Sequence, residues 1–400
     1  MSETGRGMID FARQFMPALE SAANTARAGG RLAGRRVGIA LTLEPKTACL
    51  VEAVASLGAE VAVLGSAHST KGDVAEALFA GGINVLAEAG ATADRVAELR
   101  DRFIDTRPEF LCDDGASIVR RIHGDRRDVL DDLRGVAEET TSGVRPLRLM
   151  EAEGALMVPC VAVNDARTKV LFDNVYGTGQ SVVMSVLDAT NLQMSGKVVV
   201  VVGYGKVGRG IASVARGLGA RVIVTEIEPV AALQAYHEGL QVRTLAEAVT
   251  DADYVFTATG IGHSLTAHHV AQMRDGAIIA VGGAGRPEFD PTVGPQLIEG
   301  DEVRPQVRAL TAPNGNTVFV VADGYCANTT AGEGNPIEIM DLSLALQLRA
   351  LDYLAAGDLP PGVHLLPRHI EDEVALTQLE AAGIVIDQPT PDQIRAAGSW

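Results

Sequence analysis

The stretch Lys197–Gly208, KVVVVVGYGKVG, constrains the fold of this chain more than any other. A run of five valines predicts a strand buried on both faces, the kind found in the middle of a parallel sheet. The pattern Gly203-x-Gly205-x-x-Gly208 follows at once and opens a helix that runs to about Leu218. Gly203 permits the tight turn, Gly205 lets the backbone approach a pyrophosphate, and Gly208 lets helix and strand pack closely. The first helical residues, Lys206 and Val207, bring unpaired N–H groups and the positive end of the helix dipole toward the phosphates.

Glycine patterns of this kind also occur in unrelated turns, so the context decides. Glu226 ends the next apolar run, about 20 residues on, where the dinucleotide fingerprint asks for an acid. A carboxylate there accepts from both ribose hydroxyls and repels a 2′-phosphate, so the expected cofactor is NAD rather than NADP. Thr257, Thr259 and Gly260 follow a later strand and are expected near the nicotinamide half.

Strand and helix patterns alternate on both sides of this unit. Upstream, apolar runs at Arg36–Leu41, Glu60–Leu64, Ile83–Leu86, Glu109–Cys112 and Met157–Val163 are separated by periodic segments such as Thr47–Leu57 and Asp73–Ala80. Downstream, Arg221–Thr225, Tyr254–Ala258 and Ala277–Val281 continue the glycine-bearing unit, and Ile339–Ala355 reads as a long amphipathic helix. Such alternation implies parallel sheets covered by helices on both faces. At 400 residues the chain calls for two domains.

A net charge of −17 argues against a nucleic-acid partner, which needs a basic face. The four cysteines, Cys49, Cys112, Cys160 and Cys326, have no CxxC spacing and no histidine cluster, so neither zinc nor a disulfide framework is expected. The first residues lack an apolar core of the secretory kind, and no apolar run is long enough to cross a bilayer. The expectation is a cytoplasmic enzyme.

Polar clusters sit where the upstream strands end: Asp113-Asp114-Gly115, Glu138-Glu139-Thr140-Thr141, and Asn164 to Asn174 with Lys169 and Asp173 between. Ligands of open α/β sheets gather beyond the carboxyl ends of strands. Carboxylates and a lysine in one cleft shift each other's proton affinity and can do acid–base work. Each residue taken singly reads as well as a strand cap or surface charge.

With these stretches the chain resembles the S-adenosylhomocysteine hydrolase family, in its short form. The resemblance is carried by Glu138–Val144, Val163–Asp165, Thr168–Gly177, the glycine fingerprint, Thr225–Ile227 and Asn335–Leu342, and by Leu43–Thr47 and Tyr176–Ser181. It implies a cofactor that takes hydride from the ribose C3′, which makes the C4′ proton acidic. The 5′ substituent is then eliminated, water adds, and the hydride returns. By position, Lys169 and Asp173 handle the 3′-hydroxyl proton, Asp114 acts near the C4′ proton, Glu139 holds ribose hydroxyls, and Asn174 bridges substrate and cofactor. Asn164 and Asn328 match positions near the nicotinamide, and Thr42, Glu44 and Asn335 line the substrate side. The implied fold is two doubly wound α/β domains: a substrate domain of residues 1–176 and 336–400, and a Rossmann NAD domain of 177–335. Hinges are expected near 174–181 and 328–336, in a homotetramer where the Ile339–Ala355 helix serves at an interface or packs within its own domain.

Three family histidines are absent: their places fall at Thr42, in Gly282-Gly283-Ala284-Gly285, and at Asn335. Threonine carries no proton at neutral pH as imidazole does, and the glycines leave room around the sugar. The oxidation and elimination groups are kept while the hydration side is altered. The chain therefore reads as a paralogue that eliminates water or another 5′ group from a different adenine nucleoside and leaves a 4′,5′ double bond. The dehydration that forms the nucleoside antibiotic angustmycin A is one fit. The alternatives are an ordinary S-adenosylhomocysteine hydrolase, in which His68 or His123 stands in for the missing imidazoles, and an inactive NAD-binding regulator. A hydroxy-acid dehydrogenase has the same core but needs a catalytic His and Arg, and no convincing pair is present.

Overall fold

The computed structural model describes residues 3–283, 288–357 and 359–398. Six strands come first: β1 (Arg36–Ala40), β2 (Glu60–Leu64), β3 (Asn84–Leu86), β4 (Phe110–Asp113), β5 (Gly135–Glu138) and β6 (Pro159–Ala162). Ten follow: β7 (Val198–Val202), β8 (Arg221–Thr225), β9 (Gln241–Val242), β10 (Tyr254–Thr257), β11 (Leu265–Thr266), β12 (Ile278–Val281), β13 (Phe289–Asp290), β14 (Ile298–Arg304), β15 (Val307–Thr311) and β16 (Thr317–Val321). A last strand, β17 (Gly362–His364), returns to the first group.

The first sheet has the order β17-β6-β5-β4-β1-β2-β3, and every neighbouring pair is parallel. The order reverses between β1 and β4, which makes that crevice the topological switch point and directs ligands to it. Ile39, Leu111 and Val136 are fully buried in its middle, as a sheet covered on both faces requires. The second sheet runs β14-β15-β16-β12-β10-β7-β8-β9. From β16 to β9 it is parallel, with the valine run of β7 between β10 and β8.

Two features depart from expectation. The far edge of the second sheet is an antiparallel meander, β14-β15-β16, in place of further strand–helix units. Its turn signal, Asn314-Gly315, is plain in the sequence, but β14 is polar along its length and almost wholly exposed, so it lacks an apolar pattern. The long C-terminal helix (Ile337–Leu354) keeps its apolar side chains inside the first domain. Leu344, Leu346, Leu348 and Leu351 are fully buried there against the helix Pro17–Gly29 and the first sheet. That helix therefore packs within its domain, and the interface reading of it does not hold.

Asp341 joins the two helices. Its carboxylate, wholly buried, accepts from the backbone N–H groups of Ala18 (2.9 Å) and Leu19 (2.7 Å). These are orphan donors in the first turn of the helix Pro17–Gly29, whose own cap position, Met16, offers no side-chain acceptor. Asp341→Ala removes a cap supplied from 322 and 323 residues away in sequence. It is expected to cost about 1–2 kcal/mol, read as a lower urea midpoint with an unchanged slope.

Candidate functional site

The first-sheet residues of the site stand at its carboxyl edge. β4 ends in Asp113 and leads to Asp114; β5 ends in Glu138 and leads to Glu139. Successive side chains of a strand point to opposite sides, and the two pairs divide their work accordingly. Asp113 and Glu138 turn inward and are fully buried. The Asp113 carboxylate accepts from the backbone N–H groups of Asp114, Ile118 and Val119 and from the Ser117 hydroxyl, at 2.9–3.3 Å. Glu138 accepts from the N–H groups of Gly115, Ala116 and Thr140 and from the Thr140 hydroxyl, at 2.7–3.0 Å. Burial pushes the Asp113 carboxyl up to about 6, and Glu138 well above the usual carboxylate range, Asp113 and Asp114 adding to the burial. These two acids hold the loops that carry their neighbours.

Asp114 and Glu139 turn toward the cleft, where Lys169 stands. The Lys169 ammonium is 2 % exposed and lies 2.7 Å from Asp173 Oδ2, 3.3 Å from Asn164 Oδ1, 3.4 Å from Glu139 Oε1 and 3.5 Å from Asn174 Oδ1. Burial acts to discharge this lysine, but Asp173 and Glu139 outweigh it and raise its proton affinity above that of a free lysine. Burial pushes the Glu139 carboxyl up to about 7, against the pull of Lys169. Asp114 is also raised by burial, with Lys169 and the Thr140 hydroxyl pulling the other way. Asn164, buried after β6, also accepts from the Thr141 hydroxyl at 3.0 Å.

Asp173 opens a π-helical turn, Asp173–Thr178, that leads into the helix Gly179–Thr190 toward the second sheet. Its other oxygen is held by Asn335, from the loop just before the C-terminal helix. Asn335 Nδ2 donates to Asp173 Oδ1 (2.6 Å) and to Thr178 Oγ1 (3.1 Å), while Asn335 Oδ1 accepts from Ser181 (2.9 Å) and from Asn328 Nδ2 (2.9 Å). Asn328 Oδ1 in turn accepts from Cys326 Sγ at 2.8 Å. One amide thus ties both expected hinges together. Ser343, on the C-terminal helix, donates to Glu139 at 2.8 Å.

In the second domain the three glycines behave as their spacing implies. Gly203 has φ +94, and a Cβ on Gly208 would stand 2.0 Å from Gly203 O. Gly205 faces open space, and a Cβ added to it would meet nothing within 4 Å. Glu226 accepts from Tyr204 N (2.6 Å) across the glycine turn and from Ile227 and Glu228 N beside it. Lys206 is exposed and Val207 half-buried at the start of the helix Lys206–Gly217. Thr257 Oγ1, fully buried at the end of β10, has no hydrogen-bond partner among the described residues. A dinucleotide lying along Gly205 toward Thr257 fits this donor set: an open glycine backbone, an exposed helix N-terminus, a carboxylate at the end of β8 and an unpaired buried hydroxyl.

Other expected residues form no hydrogen bond or ion pair with the Lys169 ammonium. Thr42 is half-buried after β1, and Glu44 is buried against Lys46, 2.7 Å away. Thr259 and Gly260 are gathered by Glu288, a fully buried acid that their sequence context did not single out. Glu288 accepts from both backbone N–H groups and from the Thr259 hydroxyl at 2.8–3.0 Å. Glu288 also overturns the expected room beside the glycines, since a Cβ on Gly283 would lie within bonding distance of its carboxylate, 1.6 Å from Oε1. A Cβ on Gly282 would stand 2.9 Å from Ile211 Cδ1. Ala284 and Gly285 lie outside the described residues. Of the two candidate stand-in histidines, His123 has both ring nitrogens engaged, with Val119 O and Met157 N, while His68 is exposed and stacks on Tyr325 at 3.8 Å between ring centroids.

Comparison with known proteins meets this geometry. The family model for the S-adenosyl-L-homocysteine hydrolase NAD-binding domain matches residues 174–334, and that for S-adenosyl-L-homocysteine hydrolase matches residues 1–129. The adenosylhomocysteinase of Thermotoga maritima is 43% identical over 99% of both chains. The S-inosyl-L-homocysteine hydrolase of Methanopyrus kandleri is 41% identical over 100% of this chain and 96% of its own. NAD is the cofactor these matches imply, in agreement with the glycine turn and Glu226.

Gly208→Ala tests that fit without reference to catalysis. The added methyl meets Gly203 O, an overpacking that costs roughly 1–3 kcal/mol. NAD⁺ affinity measured by calorimetry is expected to fall about tenfold or more.

Proposed function

Because the chain belongs to the S-adenosyl-L-homocysteine hydrolase family, we propose that it removes the 5′ substituent of a purine nucleoside by NAD-dependent oxidation at C3′ and elimination across C4′–C5′, with S-adenosyl-L-homocysteine as the foremost substrate. The convergence of Asp173, Glu139, Asn164 and Asn174 on the buried Lys169 ammonium carries this reading. We divide the chain into a substrate domain of 1–176 and 336–400 and an NAD domain of 177–335, with homotetrameric assembly in the cytoplasm. Exposed apolar side chains such as Phe79, Ile227 and Val230 give such an assembly surface to bury. No helix among the described residues is long and apolar enough to cross a membrane.

When bound, NAD⁺ supplies an acceptor for the C3′ hydrogen, which it later hands back. The Lys169–Asp173 pair takes the proton of the 3′-hydroxyl and its ammonium steadies the oxygen left behind. Glu139, held by Ser343, accepts from ribose hydroxyls. Asp114, made more basic by burial, removes the C4′ proton once C3′ is a ketone. Asn174 would bridge the sugar and the cofactor, and Asn164 and Asn328 would stand near the nicotinamide. Gly203, Gly205, Lys206, Val207 and Gly208 receive the pyrophosphate, Glu226 the ribose, and Thr257, Thr259 and Gly260 the nicotinamide half. Thr42, Glu44 and Asn335 bound the substrate.

One observation favours a second reading, dehydration of an adenine nucleoside that leaves its 4′,5′ double bond in place. The Asn335 amide is committed to Asp173, Thr178, Ser181 and Asn328, and the resemblance sets it and Thr42 at positions of family histidines. Neither side chain carries a proton to or from water at C5′. Incubation of the holoenzyme with S-adenosyl-L-homocysteine, S-inosyl-L-homocysteine, adenosine and a hexulose adenine nucleoside separates the readings. Free thiol from either thioether supports the first. Loss of water from the hexulose nucleoside, with the thioethers intact, supports the second. No reaction and no bound NADH with any of them would leave only an NAD-binding protein.

Two variants probe the site directly. Lys169→Met is expected to slow formation of bound NADH by roughly 10²–10⁴-fold. Glu139 must be ionised to accept from the ribose, and its proton affinity is raised to about 7. For wild type, kcat/KM therefore rises with pH through an inflection near 7, a property of the coupled cluster. Glu139→Gln is expected to remove that inflection.

A further inference from the structure

The hinge segment 332–335 presents three backbone carbonyls to two lysines that the proposed chemistry does not use. Lys46 Nζ donates to Glu333 O at 2.6 Å and to Asn335 O at 3.0 Å, and pairs with Glu44 Oε2 at 2.7 Å. Lys71 Nζ donates to Gly332 O at 2.8 Å and to Glu333 Oε1 at 3.0 Å. Both lysines belong to the first domain: Lys46 opens the helix after β1, and Lys71 ends the loop after β2, its own N–H donating to Leu43 O at 2.9 Å.

The segment is shaped to receive them. Gly334 adopts φ +72 and donates to Asn328 O, which turns the chain, and a Cβ there would stand 2.4 Å from Glu44 Oε2. Gly332 packs the other way, its would-be Cβ 2.0 Å from Ser185 Oγ on the helix leading into the second domain. The strap therefore lies between the two domains, backbone against side chain on both faces. Hydrogen bonds from ammonium groups are stronger than neutral ones. Lys46 is 4 % exposed, and a buried ammonium is costly unless paired; here Glu44 and two carbonyls pair it.

We propose that Lys46 and Lys71 are positioning residues that clamp the hinge strap to the substrate domain and, through Asn335, hold Asp173 in register with Lys169. The chain of contact is short. Lys46 grips the Asn335 carbonyl, and the Asn335 amide grips Asp173 Oδ1 at 2.6 Å. Asp173 Oδ2 then meets the Lys169 ammonium at 2.7 Å. The consequence for turnover rests on the oxidation–elimination reading above; the clamp itself does not.

Lys46→Met strands Glu44 without its partner and risks the fold, so Lys71, which is partly exposed, is the variant of choice. Lys71→Met in the holoenzyme is expected to lower kcat roughly 10- to 100-fold, the cost of a misplaced group at the reacting centre. KM and NAD⁺ affinity change little, and Lys71→Arg restores most of the rate. Hydrogen–deuterium exchange of the same variant is expected to rise in peptides spanning 328–337 and 173–178 and nowhere else. A Lys71→Met enzyme with wild-type kcat would overturn the assignment of Lys71 as a positioning residue. Unchanged exchange in the strap would overturn the clamp. Should wild type turn over none of the nucleosides, the functional reading falls, and the exchange measurement alone still decides the clamp.

Discussion

A buried ammonium group organises this molecule. Lys169 is almost sealed from water, and an ion there costs several kcal/mol unless its partners are in place. Those partners come from separate parts of the chain: Glu139 after β5, Asn164 after β6, and Asp173 and Asn174 from the turn into the second domain. Two of them are themselves held by the returning C-terminal segment, Glu139 by Ser343 and Asp173 by Asn335. The charge is therefore compensated only when sheet, hinge and C-terminal helix have all docked. The geometry of the proposed site and completion of the fold depend on one another here.

The paired acids illustrate how such a site is built at low risk. In Asp113-Asp114 and Glu138-Glu139 the first residue spends its carboxylate on backbone N–H groups, and the second is left facing the cleft. Pleating alone enforces the division. A loop fixed by a buried acid with three or more donors has little freedom to move the neighbour it carries, which is what acid–base chemistry asks of its surroundings.

Much of this was legible in the sequence, for definite reasons. Valines 198–202 and the three glycines declare a parallel strand, a turn and a helix because each has one physical use there. The alternation of strands and helices up to β6 was equally plain except at β5, whose four residues, Gly135–Glu138, are too short and too mixed to give an apolar run. What escaped was non-local. The cap that Asp341 gives to the helix at 17–29 spans most of the chain and leaves no local signal. Glu288 looks like a surface acid in its setting of glycine and proline, yet it gathers Thr259 and Gly260 and fills the space that the glycines were expected to open. The close crossing of Gly179 and Gly210, where a Cβ on either meets backbone of the other, reads as two unremarked glycines until the helices are seen to touch.

The substitution at Asn335 carries the most weight for chemistry. An asparagine amide presents two donors and an acceptor in fixed directions, and here every direction is answered, toward Asp173 and Thr178 on one side and Ser181 and Asn328 on the other. Such a residue preserves orientation and gives up proton transfer. On the proposed mechanism, the geometry that would serve oxidation at C3′ is held with full hydrogen bonding by a residue that carries no mobile proton. On the dehydration reading, that asymmetry would bear on the fate of the C4′–C5′ double bond rather than on the binding of NAD or the oxidation of the sugar.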